Sequence, residues 1–465
     1  MGQNDSKSMI GRKGQIVIGI DFGSCGITFA YGFLDDPKKE IFPGKFEAQG
    51  ICDKVSTEII LDPTLKEVLS FGNECNYFLS SINKNKDKKY RHFKNIKMNL
   101  YKKIYKIKAN NSDNNDKDDK EVDIQYIITI ILKRVKEIAL EEIKHKIPNL
   151  NDKNIHWVIT VPAIWENKSK QIMINAAQDA GLIRDDDDPS NFFALEPEAA
   201  SIYYHNSKHA IENDDIEMGK PFILCDLGSG TVDIVTQKKV KIDNNEFKFE
   251  ELYPPVGGDY GCNKINEYFM DRVIKKLFGE ENFNKTKEKI CKNNYNDWYK
   301  FEEEIEKFKK NYRNPNQLNE YFLIDCDIFN EHHNEEDLPK LINDYNLKNE
   351  SWKLVIERGW KINFPYKIIN DLMFELINII INKYINQILE SINNVKTLVF
   401  SGGASSSPIL FNMIKEGIKS SNLNYVKSPN PEVAIAFGSV LYSYDHFIIS
   451  PRKAKYTFGI NSSQP

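Results

Sequence analysis

The sequence predicts a mixed α/β protein made of two related halves. Strand and helix patterns alternate along the chain, and one short motif occurs once in each half: a buried strand, an aspartate, an apolar residue, a glycine and a turn of small residues. The copies are "GIDFGSCG" around Asp21 and "LCDLGSGT" around Asp226. Because chance rarely repeats such a pattern, the two copies indicate duplicated lobes.

Composition and charge exclude several classes of protein. The 465 residues are 41% hydrophobic and 12% aromatic, which supports a packed core, and the net charge of −4 argues against an electrostatically driven nucleic-acid binder. No apolar run reaches the roughly 18 residues that span a bilayer, and no signal peptide opens the chain. The seven cysteines show no CxxC spacing, so we expect free thiols and a cytoplasmic protein without a zinc site.

The N-terminus carries a candidate modification. The start "MGQNDS" fits the pattern for myristoylation of Gly2, and basic residues follow at Lys7, Arg12 and Lys13. The alternative is an unmodified start, and the sequence predicts disorder over residues 1–13 in either case. A possible lipid anchor therefore stays open at this stage.

Periodicity places the main elements. A polar stretch over 108–121 is too poor in apolar residues to belong to the core. Gly181 is placed to stop a helix, and Pro162 closes a buried strand. The other predictions are helices over 124–147, 167–182, 263–276, 297–312 and 364–392, strands over 156–162, 221–240, 247–259 and 352–360, and a final helix over 433–444.

The repeated motif has a chemical interpretation. A strand that ends in Asp-x-Gly and a small-residue turn exposes backbone N–H groups in a concave nest, and glycine lets that backbone approach an anion closely. The adjacent carboxylate would repel a phosphate unless a cation lay between them. The motif therefore suggests a metal–polyphosphate complex, with Mg²⁺ held largely through waters. One such loop could be a plain hairpin turn, whereas two copies predict two hairpins that clamp one triphosphate.

Six ordered motifs resemble the superfamily of actin, sugar kinases and heat-shock ATPases, and within it the seventy-kilodalton heat-shock proteins. Besides the two loops, these are "VITVPAIW", "ALEPEAASIYY", "LVFSGGASSSPIL" (similar to an adenosine motif) and "NPEVAIAFGSVL". The Glu-Pro-Glu-Ala-Ala form and "HFKNIKMNLY" are most similar to the atypical branch named heat shock 70 kDa protein 12. The resemblance covers about residues 15–445.

The resemblance implies a two-lobed actin-like ATPase fold, of the ribonuclease H-like kind, with duplicated lobes around a nucleotide cleft. Lobe I would span 14–215 and lobe II 216–449. Lobe II would include a peripheral subdomain at about 259–350 and a closing helix at about 432–445 that returns to lobe I, and a tail would follow over 450–465. We expect no peptide-binding β-sandwich of the kind that typical members carry within these residues: either the protein lacks one or the sequence stops before it.

The resemblance also implies roles for individual residues. Asp21, Asp226 and Asp233 would lie by the metal waters. The implied catalytic residues are Lys97, Glu196, Asp226 and Thr231, and Lys94 is the alternative to Lys97. The implied nucleotide-binding residues are Gly23, Ser24, Cys25, Gly228, Ser229, Gly230, Gly257, Gly258, Glu306, Lys309, Lys310, Arg313, Gly402, Gly403, Ser405, Ser406 and Glu432.

Two departures from the family pattern bear on these roles. Ser24-Cys25 replaces the usual threonine pair of the first loop, and Ser406 replaces an arginine that packs on the base, a role that Arg313 could take over. A surface lysine at Lys97 and a solvated helix face around Glu306 remain the alternative interpretations.

The resulting expectation is an ATP hydrolase. It would bind Mg-ATP or ADP, with K⁺ as a further candidate ion, and turn over slowly as a chaperone-like nucleotide switch, with a co-chaperone or exchange factor on its lobe surfaces. Three alternatives stay open: a nucleotide-sensing scaffold with little turnover, which the Ser24-Cys25 change supports, a small-molecule kinase of the same fold, and a filament former.

Overall fold

The computed structural model describes residues 16–449 except 37, 47–51, 83–88, 111–120, 149, 151–153, 185–186, 214, 243–246, 294, 333–336, 419–422 and 445–447. The predictions for residues 1–13, for acylation of Gly2 and for the tail over 450–465 lie outside the described residues. Most of the polar stretch over 108–121 lies outside them too.

The described strands fall into two large sheets and three small ones. They are β1 (Ile16–Phe22), β2 (Ile27–Phe33), β3 (Ile41–Pro43), β4 (Lys54–Val55), β5 (Ile59–Leu61), β6 (Val68–Phe71), β7 (Arg91–Phe93), β8 (Lys106–Ile107), β9 (Val122–Asp123), β10 (Ile155–Val161), β11 (Phe193–Leu195), β12 (Pro221–Leu227), β13 (Val232–Lys241), β14 (Phe247–Gly258), β15 (Tyr321–Asp325), β16 (Val355–Ile356), β17 (Lys361–Pro365), β18 (Thr397–Ser401) and β19 (Asn424–Lys427).

The described helices alternate with these strands. They are α1 (Glu74–Ile82), α2 (Ile96–Tyr101), α3 (Ile124–Lys146), α4 (Asn167–Asp179), α5 (Glu196–Asn206), α6 (Lys208–Asn213), α7 (Asn263–Phe269), α8 (Lys275–Phe278), α9 (Glu280–Asn293), α10 (Tyr295–Asn311), α11 (Leu338–Lys348), α12 (Tyr366–Ile380), α13 (Asn386–Ser391), α14 (Pro408–Gly417) and α15 (Ala434–Tyr444). Among the helices that the structure describes, none is both long and apolar enough to cross a membrane.

The two large sheets share one topology. The first has the order β3-β2-β1-β10-β11, with β4 also paired to β2, and the second has the order β14-β13-β12-β18-β19. In each sheet the first three strands are antiparallel and the last two run parallel to the central strand. The mixed α/β prediction is confirmed, and the matching order is what a duplication of one unit would produce.

The central hairpins of the two sheets match residue by residue. Asp21 pairs with Thr28 across the first hairpin, and Asp226 pairs with Asp233 across the second. Each hairpin closes with a four-residue turn, which we name the first turn (residues 23–26) and the second turn (residues 228–231). Strand β1 is buried along its whole length, which explains its continuous apolar sequence.

Helices α5 and α15 pack between the two large sheets and join them into one core. This core combines Val17 of β1 and Leu224 of β12 with residues of both helices. The helices approach so closely that a Cβ at Gly438 would overlap the backbone of Ala199. Near its end, α15 also reaches back to the first hairpin, where the Tyr444 hydroxyl donates to the Phe33 carbonyl at 3.0 Å. These contacts fix the position of the first turn relative to the second.

Two predicted elements differ from the observed ones. The predicted strand over 352–360 is only Val355–Ile356, because Gly359 adopts a φ of 60° and turns the chain into the next strand. The predicted helix over 364–392 begins at Tyr366 and contains a wider π-helical turn at Ile381–Ile385. The predicted helices over 124–147 and 263–276 are confirmed, the second with a π-helical turn of its own.

Candidate functional site

A cavity of about 850 Å³, which we name the central cleft, lies where the turns of the two large sheets face each other. It brings together 19 of the 23 residues to which the sequence assigns a role, from segments throughout the chain. These are Asp21, Gly23, Ser24, Cys25, Lys97, Glu196, Asp226, Gly228, Ser229, Gly230, Thr231, Glu306, Lys309, Lys310, Arg313, Gly402, Gly403, Ser406 and Glu432.

Backbone hydrogen bonds fix the conformation of the second turn. The Gly228 N–H donates to the Thr231 carbonyl at 3.0 Å, and the N–H of Gly261 donates to the carbonyl of Gly230 at 3.1 Å. A Cβ at Gly230 would overlap the Ser24 hydroxyl, so the first and second turns touch each other at this point. Small residues are needed here because any side chain would push the two turns apart.

Three buried aspartates lie behind the turns. Each has one carboxylate oxygen without a hydrogen-bond partner: Oδ1 of Asp21, Oδ1 of Asp226 and Oδ2 of Asp233. Burial raises the pKa of all three, and for Asp226 burial together with the charges of Asp233 and Asp21 raises the pKa to about 7. Carboxylate oxygens left without a partner at this depth need a proton, a water molecule or a cation that approaches through the cleft.

These aspartates fit a hydrated divalent cation. In the part of the chain that the structure describes, no three His, Cys, Asp or Glu side chains converge closely enough to hold a metal ion by themselves. A cation would therefore depend on waters and on a bound anion for its other ligands, as Mg²⁺ commonly does. The donor set is oxygen only, which also suits Mg²⁺.

Lys97 and Glu196 form a buried ion pair at the floor of the central cleft. The Lys97 ammonium donates to Oε1 of Glu196 at 2.5 Å, and both side chains are almost fully buried. Burial opposes the charged form of Lys97, but the charges of Glu196 and Asp21 outweigh it and raise the lysine pKa. Burial also raises the pKa of Glu196, against the effect of Lys97. The contact fixes one charged ammonium beside the aspartates.

Lys94, the alternative to Lys97, lies elsewhere. Its ammonium pairs with Glu302 of α10 and stands 4.9 Å from the ring centre of Tyr299. It does not line the central cleft. Of the two lysines, the structure therefore places Lys97 beside the predicted site.

The other end of the central cleft is formed by α10 and by the segment after β18. Glu306 accepts from Lys309 at 2.6 Å and from Lys310 at 3.3 Å, so these charges form a paired group on the cleft wall. Burial opposes ionisation of Glu306, yet the two lysines and Asn266 lower its pKa to about 2. This end can therefore present a fixed carboxylate to a donor such as a sugar hydroxyl.

Gly402 forms the link between the two ends. Its φ of 80° with ψ of 156° is accessible almost only to glycine, and a Cβ here would overlap Oδ1 of Asp226 and the Leu227 backbone. The chain can thus pass directly against the aspartate at the end of β12.

Four predicted site residues do not line the central cleft. Asp233 lies on β13, across the second hairpin from Asp226. Its carboxylate accepts a hydrogen bond from the Ile164 N–H at 3.3 Å, and its charge raises the pKa of Asp226. Ser405 donates to the Gly402 carbonyl at 2.7 Å. A Cβ at Gly257 would overlap the backbone of β13, and one at Gly258 would crowd two tyrosines. Ser405, Gly257 and Gly258 support the walls, and this arrangement gives no support to their predicted direct contact with a nucleotide.

Several cleft residues carried no signal in the sequence. Lys54 comes from the two-residue strand β4, Asn73 from the turn before α1 and Asn76 from α1 itself, and neither spacing nor a motif singles them out. Glu58 accepts from His92 at 3.0 Å and from Tyr299 of α10 at 3.3 Å, which ties the first half of the chain to the second beside the cleft. The contact between Glu58 and Tyr299 joins residues 241 positions apart, so only the folded chain shows it.

Comparison with known proteins agrees with this arrangement. The family described as Hsp70 protein matches residues 78–340, more than half of the chain. Heat shock 70 kDa protein 12A of Homo sapiens is 25% identical over 512 residues, covering 98% of this chain and 74% of that protein. The Mus musculus protein 12A is 25% identical, covering 96% and 72%, and the Homo sapiens protein 12B is 24% identical, covering 57% and 45%. The chain therefore belongs to the Hsp70 family, with its actin-like ATPase fold.

Proposed function

We propose that this protein binds Mg-ATP in the central cleft, between two lobes built on the two large sheets, and hydrolyses it slowly. One observation carries the proposal: two turns 205 residues apart meet across one cavity with unpartnered carboxylate oxygens behind them. The backbone N–H groups of both turns would hold the phosphates. Glu306, with its partners Lys309 and Lys310, and the Gly402–Gly403 segment would hold the nucleoside.

The chain supplies charge and positioning for transfer of a phosphoryl group to water. Lys97, fixed by Glu196, would offset the charge on the transferred group, because a buried ammonium acts in a medium of low dielectric constant. The turns would align the phosphate chain, and the close contact at Gly230 would keep solvent from their rear side. Positioning and charge neutralisation are enough for this reaction, and no covalent intermediate is needed.

The aspartates would orient the metal waters. Asp21 and Asp226 face the cleft, while Asp233 stands behind Asp226. Mg²⁺ bound with the nucleotide would neutralise part of the negative charge on the phosphates. Because burial and the charges of Asp233 and Asp21 raise the pKa of Asp226 to about 7, a proton would compete with Mg²⁺ for this carboxyl group near neutral pH.

A chaperone-like switch role, a cytoplasmic location and a co-chaperone rest on family membership and remain part of the proposal. A second candidate is a nucleotide sensor with little turnover. It is favoured by the exposed Cys25 in the first turn, whose thiol accepts from the Asn263 side chain at 3.0 Å where the family carries a hydroxyl.

The test combines binding with single turnover. Calorimetry should show ADP binding that is tighter with Mg²⁺, and excess protein mixed with labelled ATP should release phosphate slowly. D226N should lose most of the Mg²⁺ effect, because an amide is a poorer partner for a metal-bound water, while the exposed-site control D344N should not. Binding without phosphate release would favour the sensor, and no binding of either nucleotide would overturn both candidates.

A further inference from the structure

We propose that Lys54 binds the phosphate chain of the nucleotide and makes the central cleft selective for nucleotides over nucleosides. This inference rests on the proposed function and assigns a role to a residue that neither the motifs nor the family resemblance singled out. Lys54 belongs to the short strand β4, paired with Thr28 of β2, so its backbone is fixed at the edge of the first hairpin.

The side chain of Lys54 crosses from the first large sheet toward the second. Its aliphatic stem lies against the first turn so closely that a Cβ at Gly26 would overlap it. Its ammonium ends 3.9 Å from the Cβ position of Gly403, which follows the second sheet's strand β18. The ammonium therefore stands where the nucleoside end of the cleft meets the two turns.

The charge of Lys54 is available to a ligand. The other lysines that line the central cleft are each paired with a carboxylate: Lys97 with Glu196, and Lys309 and Lys310 with Glu306. Among the described side chains, none forms an ion pair with Lys54, although its charge acts on both Asp21 and Asp226 from a distance. A half-buried ammonium without a direct counter-ion suits an anionic group that enters from outside.

Position and charge together point to the phosphates. A nucleotide that spans the cleft must pass its phosphate chain between the Gly402–Gly403 segment and the turns, and this is where the Lys54 ammonium ends. The ammonium would contribute charge-assisted hydrogen bonds to the phosphate oxygens. It would contribute little to adenosine, which carries no charge. Lys54 would also bridge the two sheets whenever a nucleotide is bound.

The experiment compares ADP and adenosine binding by calorimetry for the wild type, K54Q, K54R and the exposed-site control K66Q. We expect K54Q to weaken ADP binding at least about tenfold, in line with loss of a hydrogen bond to a charged group, and to leave adenosine binding unchanged. K54R should keep most of the ADP affinity because it keeps the charge, and K66Q should match the wild type.

Three results would overturn the inference. The first is equal ADP affinity in K54Q and the wild type. The second is equal weakening of ADP binding and adenosine binding in K54Q, and the third is ADP binding by K54R that is as weak as that by K54Q. The second and third results would indicate a structural role for Lys54. These results differ from failure of the proposed function, in which the wild type itself would bind no ADP and Lys54 would lose its proposed ligand as well.

Discussion

Replacement of Lys97 by methionine should destabilise the protein and should do so in a pH-dependent way. The variant K97M leaves Glu196 buried without its cation, close to Asp21 and Asp233. Removing one partner of a buried pair typically costs about 3–5 kcal/mol, so we expect the free energy of unfolding to fall by that amount at alkaline pH. The double variant K97M/E196Q removes both charges and should recover more than half of the loss.

The sign of the pH dependence follows from Glu196. Burial raises its pKa in the folded protein, and loss of Lys97 removes the charge that opposes this rise. A carboxyl group with a folded pKa above its unfolded value binds its proton more tightly when folded. Stability therefore falls as pH rises from the unfolded value toward the folded one. The loss caused by K97M should be smaller at about pH 5.5 than at about pH 8. Unfolded glutamate is ionised over this whole range, whereas buried Glu196 takes up a proton on folding, and this uptake becomes less favourable as the pH rises.

Urea unfolding followed by tryptophan fluorescence, without nucleotide, measures this effect in wild type, K97M, E196Q and K97M/E196Q. The exposed-site control K133M on α3 should match the wild type at both pH values. The reasoning is refuted if K97M and K97M/E196Q lose equal stability, or if the loss in K97M does not change with pH.

Three further predictions concern other parts of the central cleft. Mg-ADP binding at about pH 6.5 should release protons, because burial raises the pKa of Asp226 to about 7 and Mg²⁺ would lower it. Calorimetry in buffers of different ionisation enthalpy measures this release, and a heat that does not depend on the buffer would contradict it. G402A should lower the free energy of unfolding more than G219A does. Both variants should lose about 1–3 kcal/mol to backbone strain, but Gly219, with a similar φ of 76°, has no neighbour that an added Cβ would meet. Equal losses in urea unfolding would exclude the clash with Asp226. Mg-ADP should slow alkylation of the exposed Cys25 by N-ethylmaleimide, as peptide mass spectrometry can follow; an unchanged rate would place the nucleotide away from the first turn.

The parts of the site that a local motif encodes could be predicted from the sequence. Asp21 and Asp226 lie near strand ends before glycine turns, a pattern that neighbouring residues in the sequence are enough to reveal. The choice between Lys94 and Lys97 could not be made in that way, because the two lie only three residues apart in the sequence. In the folded chain Lys94 pairs with Glu302 of α10, whereas Lys97 pairs with Glu196 in the central cleft, and these contacts favour Lys97.

Residues without a motif could not be predicted at all. Lys54 lies in a two-residue strand, and its placement in the cleft depends on pairing with β2 and on the position of Gly403 in the second sheet. Conversely, the resemblance implied nucleotide contacts for Gly257 and Gly258, but the structure shows them packed against β13 and two tyrosines. The approach of Lys54 to Gly403 and of Gly258 to Tyr384 joins distant parts of the chain, which spacing and periodicity do not encode.

Hydrogen exchange of the two turns tests the central claim most directly. If one Mg-nucleotide binds across the cleft, amides in the first turn (residues 23–26) and the second turn (residues 228–231) should become protected together, at the same ADP concentration. The exposed loop around Gly219 provides an internal control that should not change. Protection of one turn alone, or of neither turn at ADP concentrations that saturate binding, would contradict the account.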